Sequence, residues 1–304
     1  MLCPSCRDPI DERSLRCGGG HQFVATGGVL RLLDQVFGER LDRFLTAFQR
    51  LREADGRRIR DPSVFPLLPY ALARDPEWRM RGYDIAVIRR LTAGRTRGSA
   101  LDVGAWNGWL SHHLAAGGHA VTAVDYFVDE LDGLGAHRFY PVHWRSVQMD
   151  LRYLSILERR FDLVVLNRCL QFFEDPAAMV TAAAALVAPG GLLVATGLEI
   201  FTDPTARRQQ VETMLERHRW QGLEPFVPIK GYLDSHDRRK LRAAGVELRP
   251  YPQLRMRIAG LRSRLQSGRA RQYFGVLEQG DLPGSSGREP VPGPGAALDA
   301  RSDQ

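Results

Sequence analysis

Four short apolar runs, Ala100–Val103, Ala120–Val124, Phe161–Leu166 and Gly191–Thr196, alternate with stretches of helical spacing, and few folds accommodate that order. Short buried strands separated by helices imply a parallel sheet covered on both faces, an α/β architecture. Between the last two runs, Pro176 to Val187 is a strong helix former, with Pro189-Gly190-Gly191 as its stop. A helix is expected from about Thr205 to Arg219 and another ending at Ala244-Gly245. Strand-like segments then follow at Val246–Leu248 and Gln272–Leu277.

Upstream, Val36, Phe37, Leu41, Phe44, Leu45, Phe48 and Leu51 recur at three- and four-residue spacing, the mark of an amphipathic helix. Arg57 to Pro69 reads as an irregular connector, and a second helix is expected from Pro76 to Leu91, ending near Gly94. From Gln279 onward Pro, Gly and Ser dominate, which predicts a disordered tail. With 304 residues, 44% of them hydrophobic, the chain has material for one full-sized core and a small appendage. The expected division is a metal-binding module over 1–33, a helical linker or cap over 34–98, the main domain over 99–278 and the tail over 279–304. The weakly polar run Ala177–Ala188 falls short of the roughly 20 apolar residues that a membrane span needs, and the N-terminus lacks the pattern of a secretory signal. A cytoplasmic protein is expected.

The turn Asp102-Val-Gly104-Ala-Trp106-Asn-Gly108 joins the first strand to a helix beginning near Gly108. Gly104 and Gly108 let the backbone approach a ligand with no side chain in the way. Asp125 closes the second run about twenty residues later, where a carboxylate can accept both hydroxyls of a ribose. Gln148-Met149-Asp150-Leu151 follows, then Phe161-Asp-Leu-Val-Val-Leu-Asn167-Arg-Cys169-Leu-Gln171-Phe172 and Leu186-Val-Ala-Pro-Gly-Gly-Leu-Leu-Val.

In order and spacing these segments resemble the motifs of the class I S-adenosylmethionine-dependent methyltransferases, over Ala100 to Thr196. The tighter Gly-x-Gly-x-x-Gly fingerprint of the Rossmann dehydrogenases is absent. The resemblance implies a Rossmann-like fold with a seven-stranded, mostly parallel sheet, and S-adenosylmethionine as cofactor. It implies that Asp102 holds the turn or the cofactor's ammonium, and that Asp150 meets the adenine amino group with Met149 and Leu151 beside the ring. Tyr126, after the ribose acid, and Asn167, Gln171 and Phe172, after the fourth strand, complete the expected cofactor contacts. Trp106 stands where these enzymes commonly carry a middle glycine.

Three of the four cysteines fall within the first seventeen residues. Cys3-Pro-Ser-Cys6 and Cys17-Gly-Gly-Gly-His21 form two ligand pairs ten residues apart, a common set for a structural zinc ion, Zn2+. A closed four-ligand site leaves no position for a nucleophile, so its expected task is folding. His21-Gln-Phe, Gly27-Gly-Val-Leu and Leu32-Leu33 resemble the N-terminal module of ribosomal RNA guanine-N1 methyltransferases.

For the acceptor, Asn167 is the expected orienting residue, because ligands sit at the carboxyl ends of parallel strands. His143, His218 and His236 are base candidates by residue type alone. Cys169 reads as a small buried residue rather than a nucleophile. The preferred acceptor is a small molecule or lipid-like compound. Two other readings stay open: RNA, favoured by the N-terminal module and by seven arginines without an acid between Arg249 and Arg271, and a cofactor-binding scaffold without turnover.

Overall fold

The computed structural model describes residues 1–56, 58–258 and 269–280. The tail from 281 and the stretch 259–268, with Leu261, Leu265 and two of the seven arginines, lie outside the described residues.

Two short antiparallel strands, β1 (Ile10–Asp11) and β2 (Arg16–Cys17), open the chain, followed by the hairpin of β3 (Val24–Thr26) and β4 (Val29–Leu32). The helix α1 (Gln35–Ala54) begins where Asp34 accepts the Phe37 amide at 2.9 Å, and it buries Phe37 and Leu41. A short 3-10 helix, Pro62–Leu67, lies within the expected connector. The carboxylate of Asp75 caps α2 (Pro76–Thr92), accepting the amides of Glu77 and Trp78, and Pro76 occupies a first-turn position where its missing N–H costs nothing.

Strand and helix then alternate as expected. The elements are β5 (Ser99–Val103), α3 (Trp109–Ala116), β6 (Ala120–Asp125), β7 (Arg145–Met149), β8 (Phe161–Asn167), α4 (Pro176–Ala184), β9 (Val187–Phe201), α5 (Thr205–Trp220), β10 (Leu233–Asp234), α6 (Ser235–Ala243), β11 (Glu247–Pro250) and β12 (Ala270–Glu278). The helix α4 stops at Ala184, earlier than its composition suggests. Val187 is already hydrogen-bonded in register with Phe161, so Pro189-Gly190-Gly191 lies inside β9 instead of ending a helix.

The sheet runs β11-β12-β9-β8-β5-β6-β7-β4-β3, with β10 added against the end of β9, ten strands among the described residues. The seven expected strands reach from β11 to β7. They are extended by the N-terminal hairpin, because β4 pairs in parallel with β7, Leu32 opposite Met149. Val29, Leu30 and Leu32 are buried there, so the end of the N-terminal segment belongs to the main sheet. The strands β5 to β9 are parallel, and the chain order runs outward from β5 through β6 to β7 on one side and from β8 to β9 on the other. Order reverses between β5 and β8, and the crevice outside the carboxyl ends at such a point is where open α/β sheets take their ligands. None of the described helices is long and apolar enough to cross a membrane.

Candidate functional site

From β5 the chain leaves the sheet through three left-handed residues, Gly104 (φ 72), Trp106 (φ 51) and Gly108 (φ 77). A Cβ on Gly104 would lie 2.9 Å from that of Cys169, and one on Gly108 would lie 2.6 Å from the Trp144 ring. Conformation and crowding therefore both require glycine at these two positions. Trp106 adopts a conformation that favours glycine, and its indole is held in three ways. It stacks on Trp78 at 5.7 Å between ring centres, donates from Nε1 to Asp132 at 2.9 Å, and lies beneath the Arg81 guanidinium at 5.3 Å. The large side chain is thereby turned onto α2.

Asp102 is buried at the end of β5 and accepts a hydrogen bond from Ser111 Oγ on α3 at 2.7 Å, which joins strand to helix across the turn. Burial, with the nearby Asp125 charge, pushes its pKa up to about 7 against the Ser111 bond. Asp125 ends β6, equally enclosed. Its Oδ2 accepts the Trp106 amide at 2.7 Å and its Oδ1 the Phe127 amide at 2.9 Å. Burial pushes its pKa up to about 6, although the backbone donors pull it down. Each oxygen retains a second lone pair, so the carboxylate can still accept two hydroxyls.

A buried carboxylate with a raised pKa is costly to ionise. The folded state holds the Asp102 proton to higher pH than the unfolded chain, so stability falls as pH rises from about 4 through 7. Asp102→Asn should therefore raise the melting temperature of the ligand-free protein at pH 8, by roughly 2–4 °C for each kcal/mol recovered, and much less at pH 4. Scanning calorimetry at the two pH values measures this. A variant that melts lower at both would show that the carboxylate is a net stabiliser.

Asp150 follows β7, and its oxygens accept Tyr126 Oη at 3.1 Å and Arg152 Nη2 at 2.6 Å. The acid expected at the adenine amino group is thus held between two protein donors. Burial and the Asp150 charge raise the Tyr126 phenol far above its ordinary value, so it remains a donor. Met149 is fully buried in the core with Val147 and Leu32, and Leu151 is nearly as enclosed. Met149 and Val147 lie on one face of β7, and Ser146 and Gln148 on the other are buried as well. Phe172 is 55% exposed on a single 3-10 turn, Leu170–Phe172, after β8. Gln171 donates to the Arg168 carbonyl at 2.7 Å. Cys169 is buried against Val103, and burial drives its thiol far above the ordinary range, as a packing residue requires.

His143 needs correction as a base candidate. It is exposed and precedes the amino end of β7, whereas the parallel strands gather Asp102, Asp125, Asp150 and Asn167 at their carboxyl ends. His218 is half-buried on α5, and His236 is exposed in the first turn of α6.

Asn167 ends β8, where its Nδ2 donates to Thr196 Oγ1 at 2.6 Å and to Asp84 Oδ2 at 3.1 Å. Asp84, on α2, is wholly buried and also accepts from Arg168 Nε at 2.6 Å and from the Tyr251 hydroxyl. Sequence reasoning missed Asp84, Arg168, Tyr251 and Arg81. One signal was present: Trp78, Arg81, Ile85 and Ile88 follow three- and four-residue spacing, which places a charged residue on the apolar stripe of α2.

The four N-terminal ligand atoms, from Cys3, Cys6, Cys17 and His21, lie within 4.8 Å of one another. Cys6 Sγ is 3.5 Å from Cys17 Sγ, and His21 Nδ1 is 3.3 Å from Cys17 Sγ and 3.6 Å from Cys3 Sγ. Zinc–sulfur bonds of about 2.3 Å at tetrahedral angles give edges of about 3.8 Å between thiolates, so the cluster has the dimensions of one ion's shell. A Cβ on Gly19 would sit 2.9 Å from the Cys6 sulfur, which explains glycine in this loop.

Residues 77–243, more than half of the chain, match the family described as a methyltransferase domain. The ubiquinone biosynthesis O-methyltransferase of Psychrobacter cryohalolentis is 32% identical over 123 residues, 38% of this chain and 46% of that protein. Its namesake from Xanthomonas oryzae pv. oryzae is 31% identical over 160 residues, 50% of this chain and 58% of that protein. The chain thus spans about half the length of the curated relatives it matches. The crystal structure of magnesium protoporphyrin IX methyltransferase from Synechocystis PCC 6803 with bound SAH aligns with 66% of this chain and 82% of its own, at a TM-score of 0.40 and 19% identity. The motifs from Asp102 to Thr196, the reversal of strand order between β5 and β8, and the match over residues 77–243 agree: the chain belongs to the methyltransferase domain family, among the class I S-adenosylmethionine-dependent methyltransferases.

Proposed function

We propose that the protein binds S-adenosylmethionine across the carboxyl ends of β5, β6 and β7 and methylates an oxygen of a small, lipid-like acceptor. The observation that carries this reading is the pair of buried acids on either side of the left-handed turn, Asp102 and Asp125, each with acceptor capacity left after its bonds within the protein. Gly104, Trp106 and Gly108 shape the cradle for the amino-acid part. Asp102 faces its ammonium, and Arg81, beside the turn, faces its carboxylate. Asp125 takes the ribose hydroxyls, while Tyr126, Asp150 and Leu151 border the adenine. The bound sulfonium supplies an activated methyl group for in-line displacement, and the protein's task is to place the acceptor within reach of it. Asn167, fixed by Asp84 and Thr196, orients that acceptor, and Phe172 offers an exposed apolar surface beside it. The relatives named O-methyltransferases favour an oxygen acceptor. A zinc ion held by Cys3, Cys6, Cys17 and His21 gives the N-terminal segment its order.

Labelled cofactor incubated with fractionated extract tests the acceptor. Label is expected in the organic-extractable fraction. Label in ribosomal or transfer RNA would replace the small molecule with a nucleic acid, and cofactor binding with no label in any fraction would leave a scaffold.

A further inference from the structure

We propose, on the methyl-transfer reading above, that the acceptor carries a carboxylate and that Arg168 receives it. Arg168 follows Asn167 at the carboxyl end of β8 and takes a left-handed conformation, φ 53, that a residue with a long side chain seldom adopts. Its amide donates to the Thr196 carbonyl at 3.0 Å, and its side chain then turns inward across Gly197. A Cβ on Gly197 would come within 2.3 Å of Arg168 Cγ and 3.1 Å of Cζ, so no other residue leaves this path open. Asp84 receives Nε at 2.6 Å, and Tyr251, which accepts the Gly197 amide at 2.8 Å, donates to the other oxygen of Asp84. A strained backbone, a required glycine, a fully buried acid and a buried tyrosine all serve to fix one guanidinium. Strain of this kind persists where the surrounding structure enforces it, most often at ligand sites.

The guanidinium fixed in this way is incompletely used. Among the described residues its Nη2 is buried with no hydrogen-bond partner, and a buried donor left unmade costs about 1–3 kcal/mol. Arg81 lies close enough that burial, and then the Arg168 charge, depress its pKa. Arg168 pairs with the fully buried Asp84, while among the described residues Arg81 pairs only with Glu77, 3.7 Å away and largely exposed. The charged walls near α1 differ, for there Arg52 pairs with Asp132, and Arg58 with Asp129. On the reading above the cofactor's one carboxylate meets Arg81, and its remaining charged groups, the ammonium and the sulfonium, are positive, so the cofactor leaves nothing for Arg168. An acid on the acceptor can supply the missing negative charge, and the planar fork of arginine suits a carboxylate.

Calorimetry on the full chain saturated with S-adenosylhomocysteine tests this with two probe pairs, 4-hydroxybenzoate and salicylate, each against its neutral amide. The acids are expected to bind about tenfold tighter or more, as charge-assisted hydrogen bonds imply. Arg168→Gln should erase that preference with little change in S-adenosylhomocysteine affinity, and Arg168→Lys should restore part of it. Equal binding of acid and amide by the parent overturns the proposal, and this comparison holds even if the variants fail to fold. The proposal also falls if Arg168→Gln weakens S-adenosylhomocysteine but not methylthioadenosine, which lacks the amino-acid part, for Arg168 would then serve the cofactor. A parent that binds no S-adenosylhomocysteine overturns the methyl-transfer reading itself.

Discussion

Asp125→Ala is expected to weaken S-adenosylhomocysteine binding by about two orders of magnitude or more, since two hydroxyl-to-carboxylate bonds at about 1.5–3 kcal/mol each are lost. The turn suffers as well, because Asp125 also holds the Trp106 and Phe127 amides. Asp125→Asn separates the two effects. The amide keeps one acceptor oxygen for a backbone N–H but directs an NH2 group toward the other, so it too should bind poorly while disturbing the fold less. The pH dependence has a definite sign. With its pKa pushed up to about 6 by burial, Asp125 gains a proton as pH falls through that value, and ligand affinity should fall with it. Ligand-free stability should move the other way. The unfolded carboxyl titrates near its ordinary 3.8, so between about 4 and 6 the folded state binds more protons and loses stability as pH rises. Calorimetry of the parent from pH 5 to 8 should show affinity rising where the melting temperature declines. Unchanged affinity in Asp125→Ala would remove this residue from the cofactor site.

The residues proposed to hold the cofactor were legible in the sequence because they are local. Asp102, Gly104 and Gly108 sit within one strand, turn and helix, and Asp125 ends the next strand. Of the residues proposed to serve the acceptor, Asn167 was legible, but Asp84, Arg168 and Tyr251 were not, since they come from α2, the end of β8 and the segment after β11, and meet only when the sheet forms. His143 is a base candidate by residue type alone, and its place before the amino end of β7 follows from strand direction, which a single residue does not reveal. In β9 the ladder with β8 passes from Phe161↔Val187 to Leu163↔Leu192, so Ala188-Pro189-Gly190-Gly191 forms an irregularity within the strand where the sequence suggests a helix stop. The β4–β7 pairing was hidden for a related reason, as Val29–Leu32 is a brief apolar run in a segment dominated by Cys and Gly, and its partner strand lies far along the chain.

Through that pairing the N-terminal segment is expected to influence the proposed cofactor site. Cys17→Ser, or removal of zinc by a strong chelator, is expected to lower the melting temperature by more than about 10 °C and to weaken S-adenosylhomocysteine binding several-fold. Structural zinc contributes about 10–16 kcal/mol to the folding of isolated peptides, and a loss of even a few kcal/mol would produce such a shift. Cys3, Ile10, Cys17 and Phe23 are buried in the same core as Val147, Met149 and Ile156, and the Leu2 amide donates to the Ile156 carbonyl at 2.7 Å. Without the metal the loops carrying these residues lack a crosslink, and the hairpin they support releases the edge of β7. Leu32 pairs opposite Met149, the residue before Asp150, so loosening is expected to reach the acid proposed to border the adenine. Metal analysis of protein purified without a His tag should find about one equivalent of zinc per chain, as a single tetrahedral site requires. If the metal-free protein melted and bound S-adenosylhomocysteine as the parent does, the three thiols would be packing residues and the coupling through β4 would be absent. A lower melting temperature with unchanged affinity would keep the metal as a folding element and place the cofactor site beyond its reach.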